Sequence, residues 1–270
     1  MIDILETGAG YDAEGPAREA AGTGDSAIEE SSAEDWQTLM FTYESALKEV
    51  STKIDILKEE FIRLHNYNPI EHVTWRIKSP ESIVRKLKNH GLEANMANMQ
   101  AYLSDIAGIR VVCSFTDDIY RIADRISQQE DIEVLTVKNY ISNPKPSGYQ
   151  SYHMIILVPV YLYDGVKKVK VEVQIRTIAM DFWASLEHKI QYKFEGKAPD
   201  HINEELRGCA DIVNMLDTRM RKLNEEVQSL PPIARTEEEN RREDEQMQKA
   251  WELRNNIQKK NQNKNQNQKG

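Results

Sequence analysis

The chain has 270 residues, 40% of them hydrophobic, enough for one sizeable domain or two small ones with a buried core. Its longest apolar run, Met154 to Tyr163, is ten residues with a proline inside, too short to span a bilayer. No basic-then-apolar leader marks it for secretion, and Cys113 and Cys209 lie far apart outside any CxxC pair, which excludes a disulfide framework and suits the cytoplasm. The net charge of −9 sits in the first 35 residues, where ten acids face one base, Arg18. The remainder is neutral as a whole, so the acidity does not argue against an anionic ligand.

Residues 1–33, rich in Gly, Ala, Ser, Asp and Glu without periodicity, are read as a disordered acidic leader. From Trp36 to Leu64, apolar residues at alternating steps of four and three predict a long amphipathic helix. A short segment, Ile70 to Ile77, leads to a second helix with Ser79 as N-cap, Pro80 in the first turn and Gly91 at its close. A buried strand is expected at Ile109 to Phe115, a helix at Ile119 to Gln129 and a strand at Ile132 to Val137. Strands Tyr149 to Val160 and Val169 to Thr177 flank Asp164-Gly165, a hairpin signal. A helix over 178–194 follows, then a second stripe from Ile202 to Val227, stopped by Pro231-Pro232. Glu237 to Ile257 reads as a charged helix, and Gln258 to Gly270 as a disordered Lys/Asn/Gln tail. No internal repeat is visible. The order predicts an α/β fold of the α+β kind, with a central mixed sheet of about five strands wrapped by helices. It occupies one domain at 34–230, followed by a charged tail at 231–270.

Four constellations carry candidate chemistry. Arg76, Lys78, Ser82, Arg85, Lys86 and Lys88 cluster at a helix start, either a phosphate site or a solvated basic face. Asp105, just before a buried strand, is either a Mg²⁺ ligand at a sheet edge or an ordinary loop acid. Lys145-Pro-Ser147-Gly-Tyr149-Gln-Ser-Tyr-His153 offers Tyr149, Ser151 and His153 on one face of a strand. That ring stacks on a base or packs at a sheet edge. Finally, the polar face of Val169 to Thr177 aligns Lys170, Glu172, Gln174 and Arg176. It is plainly solvated or it handles something anionic. Two cationic patches, two acids and an exposed aromatic suit two phosphorylated substrates bridged by a metal, hence metal-dependent chemistry on nucleotides.

Asp105-Ile-Ala-Gly-Ile-Arg110, Lys145 to His153 and Glu172-Val-Gln-Ile-Arg-Thr177, in that order, resemble the RelA/SpoT-type (p)ppGpp synthetase domain over residues 35–225. Met180-Asp-Phe-Trp-Ala-Ser-Leu-Glu-His188 resembles the small alarmone synthetases, and Asn68-Pro-Ile-Glu-His72 their RelP branch. The resemblance implies a nucleotidyltransferase-like synthetase fold and a Mg²⁺-dependent transfer of pyrophosphate from ATP to the ribose 3′-hydroxyl of GDP or GTP, in the stringent response. With no His-Asp dipeptide in the chain, it implies no hydrolase activity. Carried over, Arg76, Lys78, Ser82, Lys86 and Arg110 hold ATP. Lys138, Lys145, Ser147, Tyr149, His153, Gln174 and Arg176 hold GDP or GTP, with Tyr149 stacked on guanine. Asp105 and Glu172 are catalytic and ligate the metal.

A cytoplasmic homotetramer is implied, with no membrane and no stable nucleic-acid partner. The two long stripes are read either as covering the sheet or as mediating that assembly. A sister branch is activated by its product at positions that correspond to Ser51, Asp55 and Asp181, where acids would repel a polyphosphate, so strong product activation is not expected. The rival readings are a non-catalytic nucleotide- or RNA-binding regulator and a nucleotidyltransferase. The latter lacks its Gly-Ser…Asp-x-Asp pattern here.

Overall fold

The computed structural model describes residues 33–194 and 198–230, and Lys249 beyond them. The expected acidic leader and the charged helix and tail after residue 230 lie outside the described residues, Lys249 apart. The chain divides into two compact units, Met1–Leu223 and Asn224–Gly270. Every element below lies in the first, except the last residues of the final helix.

The element order is α1 (Ala33–His65), β1 (Ile70–Ile77), α2 (Pro80–Asn89), α3 (Met96–Tyr102), β2 (Ala107–Cys113), α4 (Thr116–Ser127), β3 (Glu133–Asn139), β4 (Tyr152–Leu162), β5 (Gly165–Thr177), α5 (Ile178–Tyr192) and α6 (Asp200–Ser229). Five strands form one mixed sheet in the order β1-β2-β5-β4-β3. Only β2 and β5 run parallel; the other neighbours are antiparallel. A parallel pair needs a long crossover, and the α4-to-β4 stretch provides it.

β5 sits in the middle, and its alternation separates core from site. Val169, Val171, Val173 and Ile175 are buried against α1 and α4. Lys170, Glu172 and Gln174 take the opposite face. The first apolar stripe covers the sheet: Tyr43, Leu47, Val50 and Ile54 of α1 are buried against β1, β2, β4 and β5. Each such side chain contributes roughly 1.5–3 kcal/mol of burial. Ile119, Ile122 and Ile126 of α4 join the same core. α2 begins and ends as its sequence requires. Ser79 Oγ accepts from the Ser82 N–H at 3.3 Å, and Gly91, at φ +69°, follows the cap.

Three differences stand out. β1 is a full strand, hidden in the sequence because an edge strand exposes both faces and lacks clean alternation. α3 is a seven-residue helix that buries only Met99, too short for a periodic signal; Asn95 caps it. β4 starts at Tyr152 instead of Tyr149. Gly148, at φ +90°, turns the chain, and Lys145 and Tyr149 bond across the loop at 3.1 Å, so Tyr149 stays out of the ladder.

Candidate active site

Strand register alone assembles six residues of the expected site. One row across the sheet reads Lys138, His153, Gln174, Arg110 on β3, β4, β5 and β2. The adjacent row reads Glu172, Gly108, Arg76 on β5, β2 and β1. Residues far apart in sequence thus share one face. Gly108 stands between Glu172 and Arg76, and a Cβ there would come no closer than 4.0 Å to Arg76. The missing side chain leaves a floor open between the two.

Asp105 lies just ahead of β2, two residues before Ala107. Its Oδ2 accepts from Lys78 Nζ at 3.1 Å and from Lys86 Nζ at 2.8 Å, while its Oδ1 is buried without a hydrogen-bond partner. Burial pushes the carboxyl up, but the two lysines overcome it and hold Asp105 below the usual carboxylate range. Asp105 is therefore an anion with one oxygen uncommitted, as a hard cation requires. Among the described residues no group of three His, Cys, Asp or Glu is placed to hold a metal. The residues present fit an ion held by one or two carboxylates and completed by phosphate oxygens and water.

Glu172 is bracketed. His153 Nδ1 lies 3.3 Å from its Oε1, and Gln174 Nε2 donates to its Oε2 at 3.0 Å. Burial raises the carboxyl, and these partners more than reverse that, so it stays ionised. Burial dominates at His153 and lowers it, so the imidazole is neutral at pH 7. A neutral ring that donates from Nδ1 to Glu172 must accept at Nε2, where the Tyr149 hydroxyl lies at 2.8 Å. Asp105 is near enough that its charge also acts on Glu172 and raises it, a smaller effect than that of burial or of His153.

Tyr149 and Arg176 differ from expectation. Tyr149 is buried, 2% exposed, rather than offered to solvent. Lys145 Nζ lies 5.3 Å and Arg176 Cζ 5.1 Å from its ring centroid. Arg176, expected on the acceptor, is also buried. It donates to Tyr149 Oη at 2.6 Å, Gln174 Oε1 at 3.0 Å, Asp181 Oδ1 at 3.1 Å and Ser151 Oγ at 3.4 Å. The physical reason is α5, which folds back over the end of β5 and closes this corner of the face. Ser147 is exposed on the loop, Lys145 also sits 5.0 Å above the Tyr140 ring, and Ser82 is buried in the α2 cap network.

Asp181 also departs from the sequence reading. It does not present an unmatched charge to a polyphosphate, because its Oδ1 meets both Arg176 and, at 3.2 Å, Arg110 Nη1. His188, two turns along α5, is lowered by burial and by the nearby charges of Arg76 and Arg110. Neither Asp181 nor His188 was assigned to the site from sequence. The signal available was helical spacing after the Glu172 strand: 181, 184 and 188 share a face of α5.

The family described as "Region found in RelA / SpoT proteins" matches residues 75–197, which spans both acids and both cross-strand rows. GTP pyrophosphokinase YwaC of Bacillus subtilis is 47% identical over 194 residues, 72% of this chain and 92% of its own length. The crystal structure of small alarmone synthetase 2 from Bacillus subtilis is 45% identical at a TM-score of 0.65, over 71% of this chain and 99% of that one. Small alarmone synthetase 1 from the same organism, solved with its product pppGpp, is 33% identical at a TM-score of 0.68, over 73% and 100%. The chain belongs to the RelA/SpoT family, among the small alarmone synthetases.

Proposed function

We propose that this chain is a GTP pyrophosphokinase that moves the β,γ-pyrophosphate of ATP to the ribose 3′-hydroxyl of GDP or GTP, making ppGpp or pppGpp and releasing AMP. What supports the reading is a pair of ionised carboxylates, Asp105 held by Lys78 and Lys86, and Glu172 in the cross-strand row that ends on Arg76, close enough for the charge of Asp105 to act on Glu172. Similarity to YwaC and to a synthetase solved with pppGpp supports it.

In this reading the 3′-oxygen attacks the β-phosphorus, and the bond from that phosphorus to the α,β-bridging oxygen breaks, with AMP as the leaving group. Glu172 accepts the hydrogen bond of the hydroxyl. A carboxylate this acidic orients the nucleophile, and it takes the proton only as the forming O–P bond makes that oxygen acidic. Gln174 and neutral His153 keep Glu172 in place without adding a competing charge. Arg76, Arg110, Lys78 and Lys86 offset charge on the ATP phosphates, the two lysines shared with Asp105. Lys138, Lys145 and Ser147 serve the acceptor phosphates, and Tyr149 takes guanine on the ring face that Lys145 vacates as it moves to those phosphates. Arg176 holds Tyr149 and Gln174 from below. Asp105, with one oxygen uncommitted, and Glu172 are the residues that would hold Mg²⁺, which would supply charge neutralisation of the polyphosphate.

The apolar stripe Ile178, Phe182, Leu186 and Ile190 of α5 is 40–59% exposed, and Leu216, Met220 and Leu223 of α6 are 49–54% exposed. Faces this apolar support assembly of several copies, and we read the protein as a homotetramer. No described helix is long and apolar enough to cross a membrane, and substrates of this kind place the enzyme in the cytoplasm. Incubation with ATP, Mg²⁺ and GDP or GTP, with the nucleotides resolved by chromatography, tests the reaction. A guanosine tetra- or pentaphosphate appearing with AMP is expected; binding without turnover supports the regulator reading instead.

A further inference from the structure

Asp181 joins the two halves of the site. It stands in the first turn of α5, one helix turn past the Thr177 N-cap, with its side chain 18% exposed. A single oxygen, Oδ1, receives Arg110 Nη1 at 3.2 Å and Arg176 Nη1 at 3.1 Å. From Arg176 two hydrogen-bonded routes lead back to Glu172. One runs through Tyr149 Oη (2.6 Å), His153 Nε2 (2.8 Å) and His153 Nδ1 to Oε1 (3.3 Å). The other runs through the Gln174 amide, which accepts from Arg176 at 3.0 Å and donates to Oε2 at 3.0 Å. Asp181 carries this network onward to Arg110.

Charge explains why an acid is needed there. Burial lowers Arg110, and the charge of nearby Arg176 lowers it further. The Nε of Arg110 is buried without a partner, so nothing at the stem fixes its guanidinium plane. Asp181 supplies both the opposite charge and the fixed point. Arg176 is locked by four partners, whereas Arg110 keeps 38% of its side chain exposed and can meet phosphate.

We propose that Asp181 is a positioning residue of the transfer reaction, which fixes the donor-side Arg110 to the acceptor-side network ending at Glu172 so that both nucleotides are aligned for attack. This rests on the pyrophosphokinase reading above. It makes occupancy of one nucleotide site felt at the other, through a shared guanidinium–carboxylate–guanidinium link.

Full-length Asp181→Ala and Asp181→Asn test the link by kinetics and by binding. With both substrates saturating, Asp181→Ala is expected to lower kcat by about tenfold or more, since misplacement by an ångström has effects of this order. The affinity for each nucleotide alone stays within about threefold or tightens, because a negative charge near phosphate has gone. Asp181→Asn, which keeps the accepting oxygen, falls between. In an Arg110→Ala background, Asp181→Ala should cause little further loss, the mark of residues acting through one another. Multiplicative losses in that cycle, or wild-type kcat in Asp181→Ala, would overturn the proposal. So would a fall in melting temperature that accounts for the lost activity, which indicates a merely structural role. GDP affinity measured with and without a non-hydrolysable ATP analogue separates this link from the reaction itself. Coupling present in the wild type and lost in Asp181→Ala upholds the link even if no alarmone is made. Coupling unchanged by the substitution defeats it even if alarmone is made.

Discussion

At the scale of single residues, the proposed reaction rests on a division of labour between two carboxylates. Asp105 is held by lysines and keeps one oxygen for a cation; Glu172 is held by a neutral imidazole and an amide. Glu172→Gln preserves shape but removes the charge, and is expected to lower kcat at least about 100-fold while leaving nucleotide affinity nearly intact; retained turnover contradicts the assignment. The pH dependence follows from two shifts of the same sign. Glu172 and His153 both titrate below their ordinary values, so Glu172 is ionised and His153 neutral from pH 6.5 upward. The acid limb of kcat/KM is therefore expected below 6.5, the ordinary histidine value, and a limb centred above it counts against this arrangement. Gly108 gives a steric test. The small contact distance of 4.0 Å to Arg76 leaves room for a methyl group, whereas Gly108→Leu fills the floor between Glu172 and Arg76. Folding should survive this change while substrate binding weakens by tenfold or so, as read by calorimetric titration with ATP.

At the scale of elements, the loop from Lys145 to Tyr149 is set by its packing on α6. Gly148 adopts φ +90°, and a Cβ there would lie 2.5 Å from the Cβ of Ala210. Trp183 donates to the Leu206 carbonyl at 2.9 Å and Thr177 to Asp217 at 3.0 Å, which fasten α5 and the end of β5 to the same helix. Gly148→Ala is expected to cost about 1–3 kcal/mol from overpacking and to raise KM for GDP, measured by thermal unfolding and steady-state kinetics. An unchanged melting temperature and KM would show that the loop adapts. This element also shows what the sequence could and could not disclose. β5 was legible because strict alternation states both its core face and its polar face. Its neighbours in the site were legible by type, since an acid before a buried strand and a lysine before a Gly-Tyr turn carry their chemistry in the residue. β1 was not, because an edge strand has no face to mark, and the burial of Tyr149 was not, because it is imposed by Arg176, α5 and α6 from 27 or more residues away. Asp181 was assigned to repulsion of a ligand since nothing in its neighbourhood along the chain names Arg110 as its partner.

At the scale of the molecule, one sheet separates two environments. α1 and α4 seal the apolar face, and the other face remains a polar floor that α5 and α6 close at one end. The first long stripe is spent on the sheet. Much of the second, with the stripe on α5, stays exposed and is free for assembly. Phe182→Glu is expected to lower the oligomeric state seen by light scattering, and a wild-type monomer at micromolar concentration would contradict the tetramer. On the same reading, strong activation by pppGpp is not expected, since Asp55 on α1 is exposed and acidic; a several-fold rate increase on its addition speaks against this. The central claim is that both acids serve one transfer of a pyrophosphate group, and labelled ATP tests it most directly. With ATP labelled at the β-phosphate and GDP as acceptor, label should move into a guanosine tetraphosphate in the wild type and in neither Asp105→Asn nor Glu172→Gln, while α-label remains in AMP. Label found in free pyrophosphate with AMP attached to the acceptor, or transfer undiminished in either variant, would contradict it.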